Sequence, residues 1–320
     1  MNNEKNVLFL QPLVGSAIWG DGSILSRYPV ETPDAIPKEK VALIGIFSGH
    51  PQFSNRILNG AFRGMSVAQA RDAEPGLFGP LKDGWDFLSI SMGVGHAAAD
   101  LSIQVHPQEA YALKREHAHG KSECWYIVDV DGTPADVILG HTAKTMAEFK
   151  KAAEAEDFQS LLLRSPIRKG SFFNLLAGTL HAIQKGTTFL EICSASDLTY
   201  RLYDYHRRTA DGIERTLQKE KFYDNVLIPY EPMQYHFIHN AYGDVRETIL
   251  TDNENFSARL FEADGTGTVD RMKPYYACFV TEGNGTVNGC EVSPGTCFVV
   301  TGDTDRFSVS GKLNILAAHG

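Results

Sequence analysis

Leu101-Ser102-Ile103-Gln104-Val105-His106-Pro107 alternates apolar and polar side chains, and its reading decides the fold. On an extended strand Leu101, Ile103 and Val105 project to one face, and Ser102, Gln104 and His106 to the other. A polar row on an otherwise hydrophobic strand suits the inner wall of a barrel that holds a ligand, rather than a filled core. Two further stretches offer matching groups, Lys121-Ser122-Glu123-Cys124-Trp125-Tyr126 and Ala177-Gly178-Thr179-Leu180-His181. Gln104, His106, Glu123 and His181 form a mixed nitrogen and oxygen set suited to one divalent metal, with zinc the first candidate. The long separations between His106, Glu123 and His181 exclude a compact zinc finger. They fit ligands carried on different strands of one barrel.

Working outward, strand signals dominate the N-terminal third at 7–10, 41–47 and 87–92, punctuated by Gly and Pro. A short helix is expected over 66–72, and another over 107–116, opened by its proline. Residues 145–164 read as helical. Met146, Phe149 and Ala153 form an apolar stripe, and Asp157 caps a second turn set with Phe158, Leu161 and Leu162. Strand character returns at 171–175, 188–192 and 199–205. Beyond 224, short β-rich runs alternate with Glu282-Gly283-Asn284-Gly285, Asn288-Gly289 and Pro294-Gly295 as turns. The expected fold is mainly β: two jelly-roll barrels with a small helical insertion. The first, 1–224, carries the metal and a helical excursion near 141–164. The second, 225–320, has no His-x-His cluster and is read as metal-free; its punctuation is similar to that of a cupin.

At 320 residues the chain exceeds the usual single-domain size, in keeping with two barrels. A net charge of -9 argues against a nucleic-acid role, because phosphate backbones select basic faces. Five scattered cysteines without Cys-x-x-Cys spacing suggest reduced thiols in a cytoplasm. The apolar run near the start, Val7-Leu8-Phe9-Leu10, is too short for a signal peptide or a membrane span. A soluble cytoplasmic protein with no membrane partner is expected.

Four segments, LSIQVHP, GKSECWYIVD, LAGTLHAI and LEICSASDLTYRLYDYHR, resemble in order and spacing the type I phosphomannose isomerases, members of the cupin superfamily. Trp19-Gly20-Asp21-Gly22 looks like the opening Trp-Gly-Gly of that family. The resemblance assigns Gln104, His106, Glu123 and His181 to one zinc per chain. It makes Lys121 part of the active site, sets Arg201 at the reacting carbons, and offers Glu191 as a cavity carboxylate. Ser102 and Trp19 match substrate-binding positions. A lysine beside a metal-bound sugar would stabilise enolate charge, or become a neutral amine if desolvated. The implied activity is metal-dependent aldose–ketose isomerisation of mannose 6-phosphate and fructose 6-phosphate through an enediol or enediolate.

Departures cluster at one wall. The stretch 41–51 lacks the Gly-Glu-x-Trp of the family, and 86–93 lacks the lysine that helps hold a substrate phosphate. Leu176 replaces a proline, and Cys193-Ser194 replace a pair of glutamines. Two alternatives therefore stand beside the main expectation: an isomerase or epimerase of another sugar or sugar phosphate, and a non-catalytic sugar-phosphate sensor that retains metal.

Overall fold

The computed structural model describes residues 6–132, 135–208 and 212–320. Its first strands are β1 (Val7–Leu10), β2 (Leu13–Ser16), β3 (Val41–Ser48), β4 (Ile90–Ala97), β5 (Ile103–Val105) and β6 (Glu123–Val130). Next come β7 (Ala135–His141), β8 (Leu162–Ile167), β9 (Phe172–Leu175), β10 (His181–Ile183), β11 (Thr187–Ser194) and β12 (Tyr200–Tyr203). The C-terminal part adds β13 (Ile238–Tyr242), β14 (Val245–Asp252), β15 (Ser257–Asp270), β16 (Tyr276–Val287), β17 (Cys290–Val292), β18 (Cys297–Val300) and β19 (Arg306–His319).

These strands form three antiparallel sheets, and the sheet order positions the site. A five-stranded sheet runs β12-β5-β10-β7-β8, and a six-stranded one β2-β3-β4-β11-β6-β9. The inner faces of these two pack on each other through Trp125, Ile127 and Phe189 from one and Val137, Leu139 and Ile183 from the other. Strand alternation sends the intervening residues the opposite way. Ile44, Val94, Leu190 and Ile192 join Leu260, Phe279 and Val299 in a core shared with the C-terminal sheet. The six-stranded sheet is thus a middle layer, polar and apolar by turns on one face and largely apolar at the centre of the other.

The eight-stranded C-terminal sheet follows β1-β18-β16-β19-β15-β14-β13, with β17 on β16. It includes β1, paired from Val7↔Val300 to Leu10↔Cys297. The first strand of the chain therefore completes the second barrel, and a cut at 224/225 does not separate the two sheets in space.

Local chemistry sets the helices. Ser66 and Gln69 close a capping box at the start of the helix Val67–Ala73. Thr145 caps Met146–Glu154, which buries Phe149 and Ala153. Asp157 caps Phe158–Leu161. The helical stretch ends at Leu161 rather than 164, because Leu162 begins β8 and pairs with β7; Pro166 is tolerated there on a sheet edge. The helix after the metal strand begins at Glu109, since the Pro107 carbonyl instead accepts the Lys121 N–H at 3.1 Å.

Two strand expectations shift. The strand expected at 87–92 lies at Ile90–Ala97, held on both edges by β3 and β11. Glu282-Gly283-Asn284-Gly285 is no turn: β16 runs through it, with a bulge between Val280 and Glu282. Gly283 takes φ +75 there, so the glycine marks a bulged strand instead of a reversal. Asn288-Gly289 does turn the chain, both residues having positive φ between Val287 and its partner Cys290.

Candidate metal centre

Strand pairing brings the proposed ligands together from two sheets. His181 opens β10 opposite Gln104 on β5, and Arg201 on β12 pairs Gln104 from the other side. Glu123 opens β6 on the facing sheet. One ligand atom from each of His106, Glu123 and His181 lies within 4.8 Å of the others. None of the three residues is more than 2% exposed, so any charge among them needs a partner.

The hydrogen bonds fix how the imidazoles face. His106 Nδ1 is 2.8 Å from the Leu198 carbonyl, and His181 Nδ1 is 2.8 Å from the Thr179 carbonyl. A carbonyl only accepts, so each Nδ1 carries the proton and each Nε2 presents a lone pair. Those Nε2 atoms stand 3.0 Å from Glu123 Oε2 and 3.5 Å from Glu123 Oε1. Acceptors therefore face acceptors: among the described residues His106 Nε2 is buried without a hydrogen bond, and Glu123 Oε2 has the Lys121 ammonium, at 3.0 Å, as its cationic neighbour. A divalent cation among them would satisfy all three residues.

Electrostatics agree with a ligand-ready state. Burial lowers the His181 pKa to about 4, keeping the ring neutral. Burial works to raise Glu123, but the Lys121 ammonium 3.0 Å away outweighs it and holds the carboxyl well below its ordinary range. Trp125 Nε1 donates to Glu123 Oε1 at 2.9 Å, orienting the carboxylate. Gln104 is turned with Nε2 3.2 Å from His181 Nε2, while its Oε1 accepts from the Ser102 hydroxyl at 2.8 Å. As a metal ligand it would present Oε1, a flip that Ser102 can follow by accepting instead of donating.

Lys121 lies between two carboxylates, 3.0 Å from Glu123 Oε2 and 3.1 Å from Glu191 Oε1. Burial favours the neutral amine, yet Glu191 and Glu123 prevail and raise the Lys121 pKa well above its usual value. It is a cation here, not a neutral base. Lys121, Glu191 and Trp19 line a cavity of about 770 Å³. Arg201 does not line it. Its backbone N–H donates to Gln218 Oε1, and its buried Nε has no partner among the described residues. Ser102 is buried and engaged with Gln104.

Sequence reading missed Trp125 as the carboxylate's orienter, although Glu123 and Trp125 are two apart on one strand and must share a face. It missed Asp204 as the buried carboxylate gripped by Arg207 and Arg215. Both arginines are thereby tied to a structural ion pair. The carbonyls of Leu198 and Thr179 carried no sequence signal, since every residue has one.

A scan of family models matches none to this chain. Curated relatives do match along nearly all of it. The chain is 33% identical over 317 residues to the probable mannose-6-phosphate isomerase GmuF of Bacillus subtilis (strain 168), covering 98% of both. It is 30% identical over 316 residues to a mannose-6-phosphate isomerase of Streptococcus mutans, again covering 98% of both. A crystal structure of the mannose 6-phosphate isomerase from Bacillus subtilis superposes with a TM-score of 0.93 at 28% identity, covering 98% of this chain and 100% of that one. Over its whole length, then, and not only in the four segments around the metal centre, the chain belongs to the type I phosphomannose isomerase family.

Proposed function

We propose that this protein interconverts mannose 6-phosphate and fructose 6-phosphate at a zinc held by His106, Glu123, His181 and Gln104. The observation that carries the reading is the buried set of facing acceptors, His106 Nε2, His181 Nε2 and the Glu123 carboxylate, which a divalent cation would complete. When bound, the ion supplies Lewis-acid polarisation and a template for the oxygens on C1 and C2.

The reaction moves a proton from C2 to C1 and another from the C2 oxygen to the C1 oxygen. Lys121, held as a cation by two carboxylates, faces the negative charge that develops on those oxygens. Glu191 is the cavity carboxylate beside Lys121, and it relays the carbon-bound proton. Arg201, whose Nε lacks a partner, supplies a second fixed cation from the Gln104 side. We assign the reaction to a cytoplasm, since all five cysteines are free.

The test is conversion of mannose 6-phosphate by protein stripped of metal and then reloaded with zinc, followed by NMR. Loss on stripping and return on reloading supports the reading. Ligand-dependent melting with no conversion by the loaded protein would assign a sensor instead.

A further inference from the structure

A sheet edge presents N–H and C=O groups that another strand can pair with, and most edges of this fold are screened. Along β1, Asn59 accepts from the Phe9 N–H and donates to the Val7 carbonyl. Along β12, Gln218 takes up both the N–H and the carbonyl of Arg201. On β9 the Tyr235 hydroxyl accepts from the Asn174 N–H. The edge strand β8 carries the exposed Arg164 and Pro166, which discourage pairing.

Strand β13 has none of these devices. It ends the eight-stranded sheet, and among the described residues it pairs only with β14. Phe237-Ile238-His239-Asn240-Ala241-Tyr242-Gly243 contains no acidic residue, lysine, arginine or proline. The strand is exposed from Ile238 to Ala241. Phe237 is 42% exposed and Ile238 58%, and Met272, on the far wall of the cavity beside β13, is 66% exposed.

The hairpin shows which backbone groups are free. Tyr242 and Val245 flank a two-residue loop, and such flanking residues share a hydrogen-bonded pair. Asn240 and Ile238 follow by twos and also bond β14. Phe237, His239 and Ala241 therefore turn their N–H and C=O groups outward. Among the described residues no loop backbone bonds to those groups.

We infer that β13 pairs with β13 of a second copy of this chain, antiparallel across a twofold axis, so that two eight-stranded sheets become one. The register that sets Asn240 opposite its own copy is self-complementary. His239 then stands opposite Ala241, and their outward groups meet as a hydrogen-bonded pair. Ile238 stands opposite Tyr242, an aliphatic–aromatic pair, and the exposed His236 stands opposite the exposed Asp244, a pair of opposite charge once the imidazole is protonated. No like charges meet from 236 to 244. The contact is isologous and small, so its dissociation constant is on the order of 10 µM.

The experiment is sedimentation equilibrium on the zinc-loaded full chain from about 1 to 100 µM, which should show monomer passing to dimer. Amide exchange, read residue by residue over the same series, should slow at His239 and Ala241 as the dimer forms. Asn240, already bonded to β14, should change little. Ala241→Lys charges the edge without touching the bonds to β14; it should raise the dissociation constant at least about tenfold and leave isomerase turnover unchanged. The exchange series needs no variant, so it decides the matter even if the lysine perturbs the strand. A monomer throughout, or a dimer in which His239 and Ala241 still exchange freely, overturns the proposal. So does a dimer that Ala241→Lys leaves equally tight. Slow exchange at both residues in a monomer would assign the edge to another extended segment and overturn the pairing of copies.

Discussion

Two imidazoles whose Nδ1 protons are committed to backbone carbonyls can offer only lone pairs to the carboxylate between them, and that defines the centre at the scale of single residues. Glu123 is in turn set by Trp125 and Lys121. Arg201 belongs to another layer. Its guanidinium stays charged at any working pH, and the buried carboxylate nearby, Asp204, is already held by Arg207 and Arg215. Arg201→Ala should therefore lower turnover by about 10²–10³, while bound zinc and substrate affinity stay near those of the parent. Metal analysis with steady-state kinetics checks this. Unchanged turnover, or a melting temperature far below the parent, would make Arg201 a structural residue.

At the scale of elements, legibility followed how much of the structural signal side chains carry. The strand 101–107 announced itself because alternation separates Ile103 and Val105 from Gln104 and His106, and those faces are what the fold uses. Asp157 was legible as a cap because it accepts from the Ser160 N–H three residues on. Strand β4 was placed too early, since Gly93 and Gly95 interrupt the alternation of Ile90, Met92 and Val94. Its position is set by two neighbouring strands that no local pattern names. Gly283 misled for a related reason: a glycine can serve a turn or a bulge, and only pairing with β19 selects the bulge. The two glycines of β16 and its hairpin can be told apart by experiment. Gly283→Ala and Gly289→Ala both place a side chain at positive φ, costing about 1–2 kcal/mol each. A Cβ at Gly283 would also meet the Lys312 carbonyl at 2.0 Å, whereas at Gly289 it meets nothing within 4 Å. Thermal melts should thus show Gly283→Ala as the more destabilised of the two; equal losses would refute the close approach.

Across the whole molecule, the second barrel is tied to the first by β1 and by the core behind the six-stranded sheet, so its stability bears on the site. One group there reports pH. His319, against the Tyr275 ring at the end of β19, has its pKa lowered by burial, and by Lys273, from 6.5 to about 4. Between those values the unfolded chain binds a proton that the folded one does not, so stability rises with pH. The contribution is complete above about pH 6.5 and lost as pH falls through about 4. His319→Gln should flatten the fall in unfolding free energy over that window by on the order of 1–2 kcal/mol, allowing for partial exposure. A parallel curve for the variant would show that His319 titrates normally.

The central claim, that one divalent ion at His106, Glu123 and His181 drives the isomerisation, is tested most directly by titrating zinc into metal-free protein while following fructose 6-phosphate formation. The account predicts activity that rises linearly and saturates at about one equivalent of zinc per chain, with His106→Ala neither binding the ion tightly nor regaining turnover. Full activity in the metal-free protein, or zinc-restored activity in His106→Ala equal to that of the parent, would contradict it.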